Sequence, residues 1–416
     1  MTSLAAQAAT RIRLVPGTAV LLSAASGGTG GQSTSSTTSR TNIFAPAAYV
    51  DYKRIGGEPF VAVDRYPFPG SRTDPAAQCA PATTTPCYRD LTYASAPNGF
   101  VFPHYSPFWK SDDMGKTFRV PAHVPSYAKT FGQGGGGGDS HIAIGQLTHR
   151  VFFVDLPGPG CVTMNISDDF GETWESNQVA CGTSPGTIDD RQWVAADENP
   201  APAASNVYVS FINFTNILAP QLTVQKSTDD GETFGGVCTL ASVPPAPAPL
   251  PAPAPDNAPT SCPDPADFRL QVAGPIVVDR AHEGHPLYIP FIRGGSGPTS
   301  QVTPTPPWDL YVARSLDQGT TWTRHLVAHL GNHNPVNLFP QLSVDRAGNL
   351  YFVWSQTQGP GENAAGLLGE QDVYYSYSTN GGSAWAPPIN ITPSRGKSAI
   401  MPWSVAGDAG LIDVVY

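Results

Sequence analysis

The sequence predicts an all-β fold, a six-bladed β-propeller built from four-stranded antiparallel blades. Three observations predict it. An eight-residue polar motif recurs five times, and a short apolar run recurs six times between its copies. Glycine and proline, 42 and 43 of 416 residues, punctuate the whole length, which favours many short elements and turns over long helices.

The motif has the form S-x-D-x-G-x-T-(W/F). Its copies begin at Ser111, Ser167, Ser227, Ser315 and Ser378. Their third positions, 113, 169, 229, 317 and 380, stand 56, 60, 88 and 63 residues apart. The last copy departs, with Asn380 for Asp and Ala384 for Thr. These residue types explain a tight hairpin turn. Ser and Asp side chains bond nearby backbone amides, Gly takes the left-handed conformation, and the closing aromatic packs between strands. One active site has no use for five identical turns, so the paired carboxylates Asp168 and Asp169 read as scaffold.

The apolar runs are Glu58-Pro-Phe-Val-Ala-Val-Asp64, Ser140-His-Ile-Ala-Ile-Gly145, Arg191-Gln-Trp-Val-Ala-Ala-Asp197, Ala273-Gly-Pro-Ile-Val-Val-Asp279, Phe339-Pro-Gln-Leu-Ser-Val-Asp345 and Met401-Pro-Trp-Ser-Val-Ala-Gly-Asp408. They read as buried strands, usually closing on Asp. A second strand often follows, as at Leu350-Tyr-Phe-Val-Trp354, and a third leads into the motif, as at Asp372-Val-Tyr-Tyr-Ser-Tyr377. A four-stranded unit repeating at this period is the signature of a propeller. The sixth run has no motif after it, so the last blade is expected to be incomplete or closed by the N-terminal segment, with residues 43–53 as the closing strand.

Residues 1–41 read as a signal-like segment and a disordered linker, because Arg11 and Arg13 precede a short apolar run and a Gly/Ser/Thr-rich stretch follows. Residues 42–416 read as one propeller domain. Its Pro/Ala-rich insertion at 242–262 is expected to be an extended surface loop. The six cysteines fall as neighbours, Cys79/Cys87, Cys161/Cys181 and Cys238/Cys262. Pairing in that order is one of several connectivities they allow, and an even count in a loop-rich chain suggests an oxidising, extracellular compartment. No Cys/His metal spacing appears, and neither a metal nor a cofactor is expected. The net charge of −10 argues against a nucleic-acid partner. The apolar run near the N-terminus is too short to cross a bilayer. A monomer acting on a glycan or glycoprotein is expected.

The motif resembles the Asp box, or BNR repeat, of the sialidase superfamily, and the resemblance covers roughly residues 54–416. It implies a six-bladed propeller whose five Asp-box hairpins lie on the face away from the active site. It also implies a secreted, bacterial exo-α-sialidase-like glycoside hydrolase that releases terminal sialic acid or a related sugar. The same repeat occurs in reducing-end xyloglucanases and in sortilin-type receptors, so it names a fold group more firmly than an activity.

In a propeller the inner strands line a central channel, and the residues opening them form one rim. Those residues are Arg54 and Glu58, Asp139 and His141, Asp190 and Arg191, Arg269 and Gln271, Asn337 and Gln341, and Met401 and Trp403. Trp193 and Trp403 read as core packing or as sugar-stacking rings. An arginine cluster would bind a substrate carboxylate by charge-assisted forks. By resemblance, Arg54 holds the place of the arginine that opens the first blade, with Gly56 where the family has Pro. Arg191 and Arg269 are candidates for the other two, with Arg293 and Arg395 also available. Asp74 is then the acid, and a late tyrosine the nucleophile, with Tyr374 the leading candidate beside Tyr375 and Tyr416. Glu58 would back that tyrosine. Two other readings remain: a non-catalytic glycan- or protein-binding propeller, and a neutral-glycan hydrolase of xyloglucanase type that uses Asp139 and Asp190 across the channel.

Overall fold

A computed structural model describes residues 9–13, 21–24, 49–51, 53, 58–65, 91–97, 106–123, 138–158, 160–181, 188–200, 203–214, 220–236, 238, 255–264, 269–295, 305–336, 339–359, 369–393 and 398–416. Every regular element among them is a β-strand. The strands form six antiparallel sheets, arranged as a β-propeller.

Sheet 1 runs Phe60–Val63, Thr92–Ser95, Phe108–Ser111. Sheet 2 runs Ser140–Ile144, Val151–Gly158, Cys161–Ser167, Glu175–Cys181. Sheet 3 runs Asp189–Pro200, Ala203–Asn213, Gln221–Ser227, Gly235–Gly236. In sheet 4, Leu270–Ala273 and Val277–Val278 share the inner position, followed by Leu287–Gly295, Thr305–Ser315 and Thr323–Gly331. Sheet 5 runs Gln341–Val344, Leu350–Thr357, Gln371–Ser378, Ile389–Asn390. Five sheets carry four strands or more. Sheet 1 carries three among the described residues, so five complete blades stand where six were expected.

Sheet 6 corrects the reading of the N-terminus. Its inner strands are Trp403–Ala406 and Leu411–Val415, and its outer strands are Ala9–Arg13 and Leu21–Ala24. Arg11 stands opposite Asp413, and Ile12 opposite Ile412. Both strands were expected within a signal-like segment and a linker, and the closing strand was expected at 43–53. The physical reason is the open edge of Leu411–Val415, whose N–H and C=O groups need a partner, and the first runs of the chain supply it.

Each inner strand descends toward a turn, and the repeat turn of the same sheet lies at that lower end too. The five repeats make one hydrogen-bond set. In sheet 2, Ser167 Oγ donates to Asp169 (2.8 Å) and accepts from Gly171 N (2.8 Å), while Thr173 donates to Asp169 from both N (2.8 Å) and Oγ1 (2.6 Å). The same pattern links Ser111, Asp113, Gly115 and Thr117, and likewise Ser315, Asp317, Gly319 and Thr321. Asn380 keeps it with one bond fewer, since Ala384 has no hydroxyl. Gly171 is left-handed (φ 85°), and a Cβ there would meet the ring of Phe108 in sheet 1 at 3.1 Å. The turn is therefore a wedge between neighbouring blades, as is Trp174, which stands edge-on to Phe108 at 4.8 Å. Asp168 binds Arg150 (2.7 Å). Neither of the paired aspartates faces the channel.

The core lies between sheets, in layers of Val, Ile, Leu and aromatic residues from adjacent blades. Cys238–Cys262 is a disulfide, as its neighbour pairing suggested, and it closes the base of the 242–262 insertion. Beyond it, buried Asp264 takes both Arg293 and Arg324, which ties that segment to sheet 4. Cys161 is disulfide-bonded and stands opposite Cys181 in the register. Cys79 and Cys87 lie outside the described residues, as do most of the Pro/Ala stretch and residues 43–48.

Candidate active site

The upper ends of the inner strands meet over a plug of rings. Phe60, His141, Trp193, Phe339 and Trp403 come from five different sheets. Their centroids are separated by 3.9 Å (Phe60–His141), 5.4 Å (Phe60–Trp403), 5.0 Å (His141–Trp193), 5.2 Å (Trp193–Phe339) and 6.5 Å (Trp193–Trp403). From sheet 4 the Ala273 carbonyl accepts from Trp193 Nε1 (3.1 Å). The rings separate the two mouths of the channel.

Just above the plug, the chain twists before it enters the strands. Glu58, Arg191 and Met401 are left-handed, with φ of 41°, 57° and 53°. Each stands two residues before a ring of the plug: Phe60, Trp193 and Trp403. In sheet 3 the twist coincides with a register break between Asp190 and Trp193. Such backbone costs energy in residues other than Gly and persists where the surroundings hold it, often at functional sites. Here the extra residue turns Arg191 over the plug. Its guanidinium lies 3.5 Å from the Phe339 ring centroid and 5.2 Å from that of Trp193.

Three carboxylates gather around this one arginine. Arg191 Nη2 reaches Glu58 at 2.5 Å, and Nη1 reaches Asp139 at 3.2 Å. Its backbone N–H donates to Asp190 at 2.8 Å. Asp190 is pushed up to about 6, first by burial and then by the neighbouring Asp139 charge. Asp139 is also raised, chiefly by burial, with Arg191 opposing the shift and Glu58 adding to it. Two carboxylates this close retain a proton between them and titrate as a pair. Burial lowers the Arg191 guanidinium, and Asp139 and Glu58 oppose that. Beneath them, burial pulls His141 down to about 3, with Arg191 adding to the shift, so the plug holds a neutral imidazole.

The structure thus brings together Glu58, Asp139, Asp190 and Arg191, with Trp403 in the ring floor. Gln341 is buried on the inner strand of sheet 5, where its amide donates to the Phe339 carbonyl (3.4 Å). Arg269 opens sheet 4, and its carbonyl accepts from Gly294 N (2.8 Å). Arg293 is buried against Asp264 and stands opposite Leu270 in the register of sheet 4. Arg54, Asp74 and Arg395 lie outside the described residues.

Tyr374 requires a correction. It lies on the third strand of its sheet, stacked on Trp354 at 5.8 Å, with its hydroxyl accepting from Asn390 (3.2 Å). Alternation on that strand points it into the layer between sheets 4 and 5. Tyr375 is fully buried on the same strand. Neither reaches the channel. The ring plug as a unit was not foreseen. Its signal was an aromatic side chain four residues before the end of the apolar run in sheets 1, 2 and 3: Phe60, His141 and Trp193.

No family model and no curated relative matches the chain. Among solved structures, it is similar to an α-L-arabinofuranosidase of Fusarium graminearum bound to an iminosugar inhibitor. That likeness has 12% identity over 86% of this chain and 98% of the other, with a TM-score of 0.45. It is similar to an α-L-arabinanase of Penicillium chrysogenum complexed with arabinobiose, at 12% identity over 78% and 89%, TM-score 0.44. It is also similar to a polysaccharide lyase, an ulvan lyase, at 11% identity over 78% and 73%, TM-score 0.48. Likenesses at this level assign no activity.

Proposed function

We propose that the chain is a carbohydrate hydrolase acting on neutral glycans at the upper mouth of the channel. One observation carries this reading: Glu58, Asp139 and Asp190 surround a single arginine above a floor of rings, with Asp190 held near 6. Glycoside hydrolysis needs one carboxylic acid to protonate the leaving oxygen and one carboxylate to serve as base or nucleophile. The Asp139/Asp190 pair supplies the acid, because burial keeps its proton in mildly acidic solution. Glu58, ion-paired with Arg191, supplies the carboxylate. The ring of Trp403 offers an apolar face for a sugar. The repeat turns, through their resemblance to the Asp boxes of glycan-active propellers, support a sugar substrate. The Cys238–Cys262 disulfide suits an extracellular setting.

Release of sialic acid is the finer reading of that resemblance. It calls for arginines open to a substrate carboxylate, whereas Arg191 is already engaged by Glu58 and Asp139. A neutral sugar avoids the repulsion that three carboxylates would exert on an anionic one. The test is turnover of a panel of neutral oligosaccharides beside a 4-methylumbelliferyl sialoside. Release from a neutral substrate is expected, with loss of about 10²–10⁴-fold in Asp190→Asn. Sialoside turnover alone would overturn the neutral-glycan assignment. Glycan retention without product would make the chain a binding propeller.

A further inference from the structure

The lower mouth of the channel carries a second, differently built site. Below the plug, the channel is a bore lined by Ala143, Ala195, Val277, Ser343 and Val405, and it opens into a cavity of about 400 Å³. Val405 is 55% exposed although it lies on an inner strand, so the bore is open to water. Three arginines line the mouth, Arg65, Arg280 and Arg346, with Gln146 beside them.

The three hold one structural position. The tripeptide Val-Asp-Arg ends the inner run of sheets 1, 4 and 5, at 63–65, 278–280 and 344–346. The aspartates are used within the turns. Asp64 meets His149 Nδ1 at 2.8 Å, with both side chains fully buried. Asp279 accepts from Ala281 N (2.9 Å) and meets His282 Nδ1 (2.6 Å). Asp345 accepts from the backbone of Ala347, Asn349 and Gly410 and from the Tyr351 hydroxyl. The residue after each aspartate therefore sets the charge of the cavity wall. Among its charged lining residues, three are arginines and one is a carboxylate, the buried and fully bonded Asp345. Arg280 is braced by the Ala196 carbonyl and by Asp197 at 3.6 Å. Arg346 is 80% exposed and pairs with Asp408, itself 67% exposed.

We infer that this lower mouth binds a small oxyanion carrying two or more negative charges, of the phosphate or polycarboxylate class. Guanidinium forks match the paired oxygens of both groups. Arginines on a concave wall concentrate anions, in competition with the Asp197 and Asp408 carboxylates that pair with Arg280 and Arg346, and the volume is that of a small-molecule site. The plug closes the inner end, so the ligand enters and leaves from below and does not meet the upper carboxylates.

The experiment is titration calorimetry on the full chain with inorganic phosphate, sulfate and citrate, at fixed ionic strength in chloride. Saturable binding of one anion per chain is expected. Preference for citrate or for phosphate then decides between the two classes. Arg346→Ala should weaken it about tenfold or more, the loss of one charge-assisted contact. Arg280→Lys should do the same although it keeps the charge, because it removes the fork. Asp190→Asn should leave the affinity unchanged, and Arg346→Ala should leave glycan turnover unchanged, so this site and the upper one fail independently. No saturable binding of any of the three anions would overturn the inference. So would unchanged affinity in an Arg346→Ala/Arg280→Lys double variant.

Discussion

The two mouths of the channel are made from the inner edges of the same six sheets, yet they hold opposite chemistry. At the upper mouth, carboxylates outnumber their arginine, and burial keeps protons on acids. At the lower mouth, every turn aspartate is matched bond for bond, and arginines line the cavity wall. The difference teaches where this fold satisfies its polar groups and where it crowds them. The lower turns repeat because they wedge the blades together. The charged residues of the upper rim differ from blade to blade, and it is there that the proposed chemistry is placed.

The comparison breaks most sharply at Asp190. Asn there should abolish most turnover. In the unmodified chain, kcat/KM should fall as pH rises through about 6, because the acid is then ionised. The same substitution should raise the melting temperature at pH 7 by about 2 °C, since an ionised carboxylate no longer has to be buried. Scanning calorimetry of both forms checks this, and a lower melting temperature in the variant would mean that Asp190 braces the rim.

Trp193→Ala is the next largest effect. The indole is almost fully buried and joins the plug to sheet 4 through the Ala273 carbonyl. Its removal should cost about 3–5 kcal/mol by chemical denaturation. It should also open the upper site to the lower bore, so that anion binding below becomes sensitive to Asp190→Asn.

The pH dependence of stability should then separate the two ends. At the lower end, Asp113 is held down to about 2, chiefly by its bonds to the backbone and side chain of Thr117, and Glu172 is held to about 2 by Arg119. A depressed carboxylate contributes stability above its ordinary value and loses it as pH falls toward its folded value. The lower turns should therefore weaken from about pH 4 down to 2. The upper pair behaves in the reverse sense: its raised values favour the fold at low pH, and that contribution is lost as pH rises through about 6. The melting temperature should peak near pH 4, where the lower turns are fully ionised and the upper pair is still protonated. A maximum at or above pH 7 would show that the upper carboxylates are not carrying protons.

The smallest effects test the repeat. Asp229→Ala removes the acceptor for Thr233 N (2.9 Å), Thr233 Oγ1 (2.5 Å) and Ser227 Oγ (2.7 Å), and should cost about 1–2 kcal/mol. Asn380→Asp should gain no more than a few tenths of that, because Ala384 offers no hydroxyl to bind. Urea denaturation of the two variants ranks them.

Much of this molecule was legible in its sequence. Ser, Asp, Gly and Thr at fixed spacing can only bond one another locally, so each motif declared its own turn, and five turns at blade spacing declared the propeller. The apolar runs declared the inner strands, and the residues that open them named Glu58, Asp139, Asp190 and Arg191. The pairing of Cys238 with Cys262 followed from nearness in sequence. The strands at 9–13 and 21–24 were misread, because strand pairing across the full length of a chain leaves no local periodicity. Tyr374 was misplaced because a tyrosine alternating along a strand carries no mark of which layer it enters.

What the sequence determined by itself is everything governed by contacts a few residues long: turns, strand runs, the repeat and the position of the rim. What only the tertiary structure decided is convergence. Arg191 became the centre of three carboxylates because one twisted residue in sheet 3 faces residues that open sheets 1 and 2. Five rings from distant runs became a plug, and three Val-Asp-Arg tripeptides became one cavity wall. Burial and charge at such places are properties of the closed ring, since the groups that perturb one another lie dozens of residues apart and meet only when the blades close around the axis.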